Sequence, residues 1–268
     1  MAKKNEEAPN NSEALALTNE QVLAARPDYI KEGSRGQEEV SLRDMVLPRL
    51  GLCQTNSRAR NKNNEKYIKG LEEGQLFNTL TGEIYGEKVQ IVPLFFYHSR
   101  IMFRDMNEGG GIICQAPDGK KCQLNNGGPC LHSMWGPKGE PPECNEFFNY
   151  PSLVYKGPGE QTNDLIIVSL KTTGLEAGRN LNSMIRMRNA DTFAGIYELS
   201  SYADKNPAGN DYYTWRVRNG NPPWTDPVLL AKAEKMYKIV FEGLKSGTIT
   251  VDADDDSIDA FAAHDSEV

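Results

Sequence analysis

Four cysteines, Cys114, Cys122, Cys130 and Cys144, crowd into one Gly- and Pro-rich stretch, while Cys53 stands alone. In a reducing compartment such crowding favours a metal over disulfides. Zinc takes about four soft or borderline ligands in a tetrahedron, and cysteine thiolates with histidine are its usual structural set. Seven residues separate Cys114 from Cys122, seven separate Cys122 from Cys130, thirteen precede Cys144, and His132 lies two beyond Cys130. The spacing has no CxxC pair. The favoured ligands are the four cysteines, with His132 as the alternative to Cys122, holding a structural Zn2+. Free cysteines acting as small apolar fillers would sit in apolar runs. These instead lie among Asp118, Gly119, Lys120, Asn125 and Pro137. A deaminase-type catalytic zinc needs His-x-Glu with Pro-Cys-x-x-Cys, and Pro129-Cys130-Leu131-His132 lacks the second cysteine.

A second set of residues suits a polyanion. Single strands of nucleic acid are held by cations on phosphates and by aromatic faces under bases. Phe96 and Tyr97 lie near Arg100, Phe103 adjoins Arg104, and Tyr213 and Trp215 precede or flank Arg216 and Arg218. Period two puts Tyr213 and Trp215 on one strand face and Arg216 and Arg218 on the other, so one pair faces the core. Burial is the ordinary fate of any single aromatic. Arg49, Arg58, Arg60 and Lys62, together with Lys171, Arg186 and Arg188, complete the candidate contacts.

The formal charge of -7 gains meaning when divided along the chain. Residues 252–268 hold Asp252, Asp254, Asp255, Asp256, Asp259, Asp265 and Glu267 and no Lys or Arg, so the tail accounts for all of it. Residues 41–70 carry seven basic groups against Asp44 and Glu65. That is where a polyanion would be met. No stretch approaches the roughly 18 apolar residues of a membrane span, and the N-terminus lacks a signal-peptide core. A soluble, cytoplasmic protein with no membrane partner is expected.

The elements that must position these groups read as mainly β. Residues 1–40 are polar and expected to be mostly disordered, although Leu15 to Ala25 has the makings of a short helix capped near Thr18. The folded domain is expected over 41–245. Pro48 ends any helix begun at Ser41, and Gln54 to Asn64 is a basic, turn-rich loop. Strand patterns follow at Leu76–Leu80, Ile84–Gly86, Lys88–Tyr97, Arg100–Asp105, Ser152–Lys156, Leu165–Leu170, Phe193–Tyr202 and Asp211–Arg218. Residues 112–146 form the zinc-binding insertion and read as loop. Thr172–Met187 reads as an internal helix behind a threonine cap. Pro227 starts a C-terminal helix that presents Leu230, Ala233, Met236, Tyr237 and Val240. Short strands, one inserted loop and a helix within the strand order suit an OB-like Greek-key barrel. Residues 246–268 are expected to be a disordered acidic tail.

The tail, from Val251 to Phe261, is an acidic run with isolated hydrophobes. It resembles that of prokaryotic and phage single-stranded DNA-binding proteins, which join an OB core to a disordered acidic tail with a late Phe. The segments Asn78-Thr79-Leu80-Thr81-Gly82-Glu83 and Ser169-Leu170-Lys171-Thr172-Thr173 extend the likeness to phage-encoded proteins of this type. Zinc inside an OB fold is similarly found in those of the large tailed phages, with a different ligand spacing. The resemblance implies coating of single-stranded DNA and recruitment of replication or recombination proteins through Asp254, Asp255, Asp256, Ile258 and Phe261. Phe261 stands seven residues from the C-terminus, a departure from the family pattern. Self-association is compatible with this reading. A strand-annealing recombination factor and a zinc-containing interaction module are the alternatives. Glu83, Glu87 and Asp164 build no two-metal cluster, and Gly109–Gly111 is followed by no Lys-Thr or Lys-Ser. No enzymatic activity is expected.

Overall fold

Short apolar runs punctuated by Gly and Pro make this chain mainly β. The computed structural model describes residues 26–30, 35–40, 44, 46–104 and 111–245, apart from 117, 127, 129, 138, 141, 159–163 and 207–208. The expected N-terminal helix and the acidic tail, with Asp254, Asp255, Asp256, Ile258 and Phe261, lie outside the described residues. The strands are β1 (Leu50–Leu52), β2 (Leu76–Asn78), β3 (Ile84–Gly86), β4 (Lys88–Pro93) and β5 (Tyr97–Phe103). They continue with β6 (Ile112–Ala116), β7 (Cys144–Tyr155), β8 (Leu165–Lys171), β9 (Gly195–Lys205) and β10 (Asp211–Trp224). Two α-helices accompany them, α1 (Gly174–Met187) and α2 (Pro227–Lys245).

Both sheets are antiparallel. β1, β2 and β3 form a three-stranded sheet, and the other seven strands form one in the order β10-β9-β4-β7-β5-β6, with β8 on the second edge of β7. β7 is the organising strand: Phe147–Leu153 pairs with β8, while along its other edge Cys144–Asn149 pairs with β5 and Ser152–Tyr155 with β4. The expected OB-like Greek-key barrel is met in part: the chain is mainly β, with antiparallel sheets and two helices, but among the described residues the strands close no barrel. Closure would require β1 to pair along a full strand. It has three residues and meets the large sheet through one parallel bridge, Arg49 to Ile167. Two further expectations change. Ile112–Ala116 and Cys144–Tyr155 are strand, so the insertion's first and last cysteines stand on the sheet. The helix α2 buries Leu229 and leaves Leu230 partly exposed.

Each helix covers one face of the sheet. α1 turns Ala177, Gly178 and Leu181 inward, against a core of Ile91, Phe148, Tyr150, Ile166, Val168, Leu170 and Leu199. Tyr150 fixes the approach, with its hydroxyl 2.9 Å from the Gly178 carbonyl and 3.0 Å from Asn182 Oδ1. The anticipated threonine is next to the helix start, but the Thr173 hydroxyl pairs with Thr214 (3.2 Å) and caps no helical N–H. α2 has its cap at Asp226, whose carboxylate accepts the Val228 and Leu229 N–H groups at 2.9 Å, with Pro227 in the first helical position. Its Leu229, Ala233 and Val240 pack on Val92, Leu153, Phe193 and Ile196 at one end of the opposite sheet face. A third cluster, Cys53, Ala59, Leu71 and Phe77, lies under the small sheet. Among the described residues no helix is long and apolar enough to cross a membrane.

Candidate functional site

The hairpin β9–β10 and strand β4 present one sheet face that α2 covers only at its far end. Residues paired directly across strands share a face. Lys88, Ser200 and Arg216 therefore form one row across the three strands, and Gln90, Glu198 and Arg218 the next. Lys88, Arg216 and Arg218 are exposed. The Arg216 guanidinium lies over the Tyr202 ring, 4.5 Å from its centroid, in cation–π geometry. Glu198, opposite Arg218, approaches Lys88 at 3.9 Å. Neither Arg216 nor Arg218 is in an ion pair among the described residues, so both keep their charge available.

The basic loop following Cys53 is fastened beside this hairpin. Gln54 donates to the Tyr213 carbonyl (2.8 Å) and accepts from its N–H (2.9 Å), filling the ladder positions of a further strand on the open edge of β10. Arg58 and Arg60 follow on a 3-10 turn, with Lys62 exposed just beyond. Arg60 is held by Glu73 and the Thr55 carbonyl.

The remaining predicted contacts divide between interior and surface. Arg49 is buried, and its guanidinium donates to Ser169 Oγ. Ser169 donates to Asn149 (2.8 Å), which donates to Ser99 (2.8 Å), so this arginine belongs to an internal polar chain and presents nothing to a ligand. Phe96 packs edge-on against Phe148 and His98. The Tyr97 hydroxyl is buried with no hydrogen-bond partner among the described residues, and burial, opposed by Arg49, pushes its phenol up to about 12. Phe103 sits 6.4 Å from the Phe147 ring, and Lys171 lies 5.9 Å over that same ring. Arg188 is clamped between Tyr197 and Trp224 and bonds Asn219 at 2.8 Å. Tyr213 fills the space left by the absent side chain of Gly74, and Trp215 packs on Gly174. Arg104 and Arg186 are exposed. The structure thus sets Arg216 and Arg218 on one exposed sheet face, fastens the segment before the Arg58–Lys62 turn at the edge of β10, and packs the aromatics Phe96, Tyr97, Tyr213 and Trp215 at least partly inward. The aromatic that does face the arginines, Tyr202, was missed because only the hairpin register sets it beside Arg216.

The cysteines form a separate centre. Cys114, Cys122, Cys130 and Cys144 all line one cavity of about 430 Å³, with Arg100, Lys120 and Met134 among its other walls. Met102 of β5 pairs with Cys114 on one side and Cys144 on the other, which puts both cysteines on one sheet face. The insertion then folds back over that face. At Gly119 (φ +67°) a side chain would collide with His98, so only glycine allows the loop to pass so close. Burial pushes the Cys144 thiol up to about 12, with nearby Cys130 adding to the rise and Arg100 opposing it. Arg100 meets Glu146 at 3.2 Å. His132 is half exposed and lies 2.6 Å from Glu143.

Comparison with curated proteins gave no match, and neither did comparison with solved structures. A family model does match, over residues 17–246, which span both helices and every described strand. The chain belongs to the family described as Pam3 phage gp34-like protein.

Proposed function

We propose that this phage-family chain is a single-stranded DNA-binding protein that takes the strand along the open face of β4, β9 and β10. The observation that carries the reading is the pair of exposed arginines, Arg216 and Arg218, free of ion pairs among the described residues, with Lys88 in the same rows and Tyr202 beneath Arg216. Cations spaced along strands match phosphates, and a tyrosine face offers a base a stacking surface. Gln54, bonded to Tyr213 at the edge of β10, leads into the Arg58–Lys62 turn, which supplies further basic residues for a strand that passes that edge. On this reading the protein coats single strands during replication or recombination, does no chemistry on them, and recruits partner proteins through its acidic tail.

The test is a fluorescence titration of the full chain with a single-stranded oligonucleotide and with its duplex. Salt-sensitive binding of the single strand, weakened or lost for duplex, is the expected result. No binding to either would overturn the proposal.

A further inference from the structure

We propose that Cys114, Cys122, Cys130 and Cys144 together hold one structural zinc ion, and that this ion is the missing core of the 117–143 insertion. The site stands independently of strand binding.

The first argument is where the cysteines are and what surrounds them. Cys114, Cys122 and Cys144 are only 3–4% exposed. A buried cysteine serving as filler joins an apolar cluster, as Cys53 does with Ala59, Leu71 and Phe77. Cys114, Cys122 and Cys144 join none of the three clusters among the described residues. Their shared surrounding is the cavity, whose lining includes the basic residues Arg100 and Lys120.

The second argument is that the insertion, held by a few local turns and hydrogen bonds, shows little apolar core of its own among the described residues. Between β6 and β7 the described residues form only two 3-10 turns, Gln123–Asn125 and Leu131–Ser133. Among the described side chains Leu124 is 57%, Met134 58% and Trp135 69% exposed, although Met134 also borders the cavity. Each turn begins just after a cysteine. The Cys122 carbonyl accepts the Asn125 N–H (3.3 Å), and the Cys130 carbonyl accepts the Ser133 N–H (3.2 Å) and the Ser133 hydroxyl (2.7 Å). Two cysteines from the sheet and two from turns above it thus face one space. A loop that turns cysteines inward and hydrophobes outward is organised by a metal, and its hydrophobic parts are not its core.

Ligand chemistry selects among the candidates. His132 is engaged by Glu143 at the surface and does not line the cavity, whereas Cys122 does. The four cysteines line the cavity wall without yet meeting at one point, since no group of three metal-binding side chains is gathered among the described residues. Zinc–sulfur bonds of about 2.3 Å would draw the thiols inward as each gives its proton to solvent. A zinc tetrathiolate carries a net charge of about -2, and the cavity that would hold it is lined by two basic residues, Lys120 and Arg100, the latter also meeting Glu146.

The experiment uses the full chain expressed with zinc and desalted under reducing conditions. Metal content is read by plasma mass spectrometry, free thiols are counted in denaturant, and cobalt exchanged for zinc reports the ligands through its spectrum. The expected result is about one zinc per chain, a tetrahedral sulfur-bound cobalt spectrum, and the same spectrum in His132→Ala and Cys53→Ala. Cys122→Ser is expected to lose the metal or change the spectrum. If that variant fails to fold, the comparison of wild type with His132→Ala decides. Zinc-free protein, thiols that appear only after reduction, or a cobalt spectrum altered by His132→Ala would overturn the assignment.

Discussion

The arginines divide by what their guanidinium groups already hold. Arg49 is committed to Ser169 inside the protein and Arg188 to Tyr197, Trp224 and Asn219, whereas Arg216 and Arg218 are exposed on the sheet face. Removing a buried, hydrogen-bonded guanidinium leaves its partners unsatisfied, which costs about 1–3 kcal/mol. Arg49→Met is therefore expected to lower stability in chemical denaturation by that order, with oligonucleotide affinity unchanged once the protein is folded. A loss of affinity without a loss of stability would return Arg49 to the binding face. The sequence ranked these residues alike because charge and neighbours along the chain do not reveal burial. What it did read correctly was the alternation in Tyr213–Arg218, which separates one apolar face from one charged face. The same alternation could not name Tyr202, which comes from the partner strand.

Among the elements, the close fit of α1 on β7 depends on a residue that helix propensity alone would reject. Glycine within a helix is worse than alanine by about 1 kcal/mol. A Cβ at Gly178, however, would stand 2.7 Å from the Phe148 ring, which Phe96 and His98 already wedge. Overpacking of this kind costs about 1–3 kcal/mol. Gly178→Ala is expected to destabilise the protein in a urea melt, reversing the sign that propensity gives, and a stabilised variant would show that the helix can move away. Most strands and both helices were legible from periodicity and from Pro227 and Thr172–Thr173. The strand Cys144–Asn149 was not, because its register comes from pairing with β5 and its sequence mixes Asn, Glu and Phe without a clean period. The expected closure of the barrel failed at the same level. Strand order can be read locally, but closure depends on how far Leu50–Leu52 pairs, and three residues are too few.

Across the whole molecule, charge divides between the body and the C-terminal acidic segment. The net charge of -7 equals that of residues 252–268, which leaves everything before them neutral, while Arg216 and Arg218 are in no ion pair among the described residues. A tethered acidic segment competes with phosphates at high effective concentration, and salt screens that competition. Deleting residues 252–268 is expected to tighten single-strand binding, most at low salt, with the melting temperature nearly unchanged. Weaker binding or unfolding would make the tail part of the fold. The central claim is that the strand lies on β4, β9 and β10. It is tested most directly by the salt dependence of single-strand affinity in wild type and in the double variant Arg216→Ala with Arg218→Ala. Each phosphate contact on a single strand contributes about 0.7 to the slope of log affinity against log salt. The account predicts weaker binding and a slope shallower by roughly 1.4, two contacts at that value, with stability retained. An unchanged slope and affinity would contradict it.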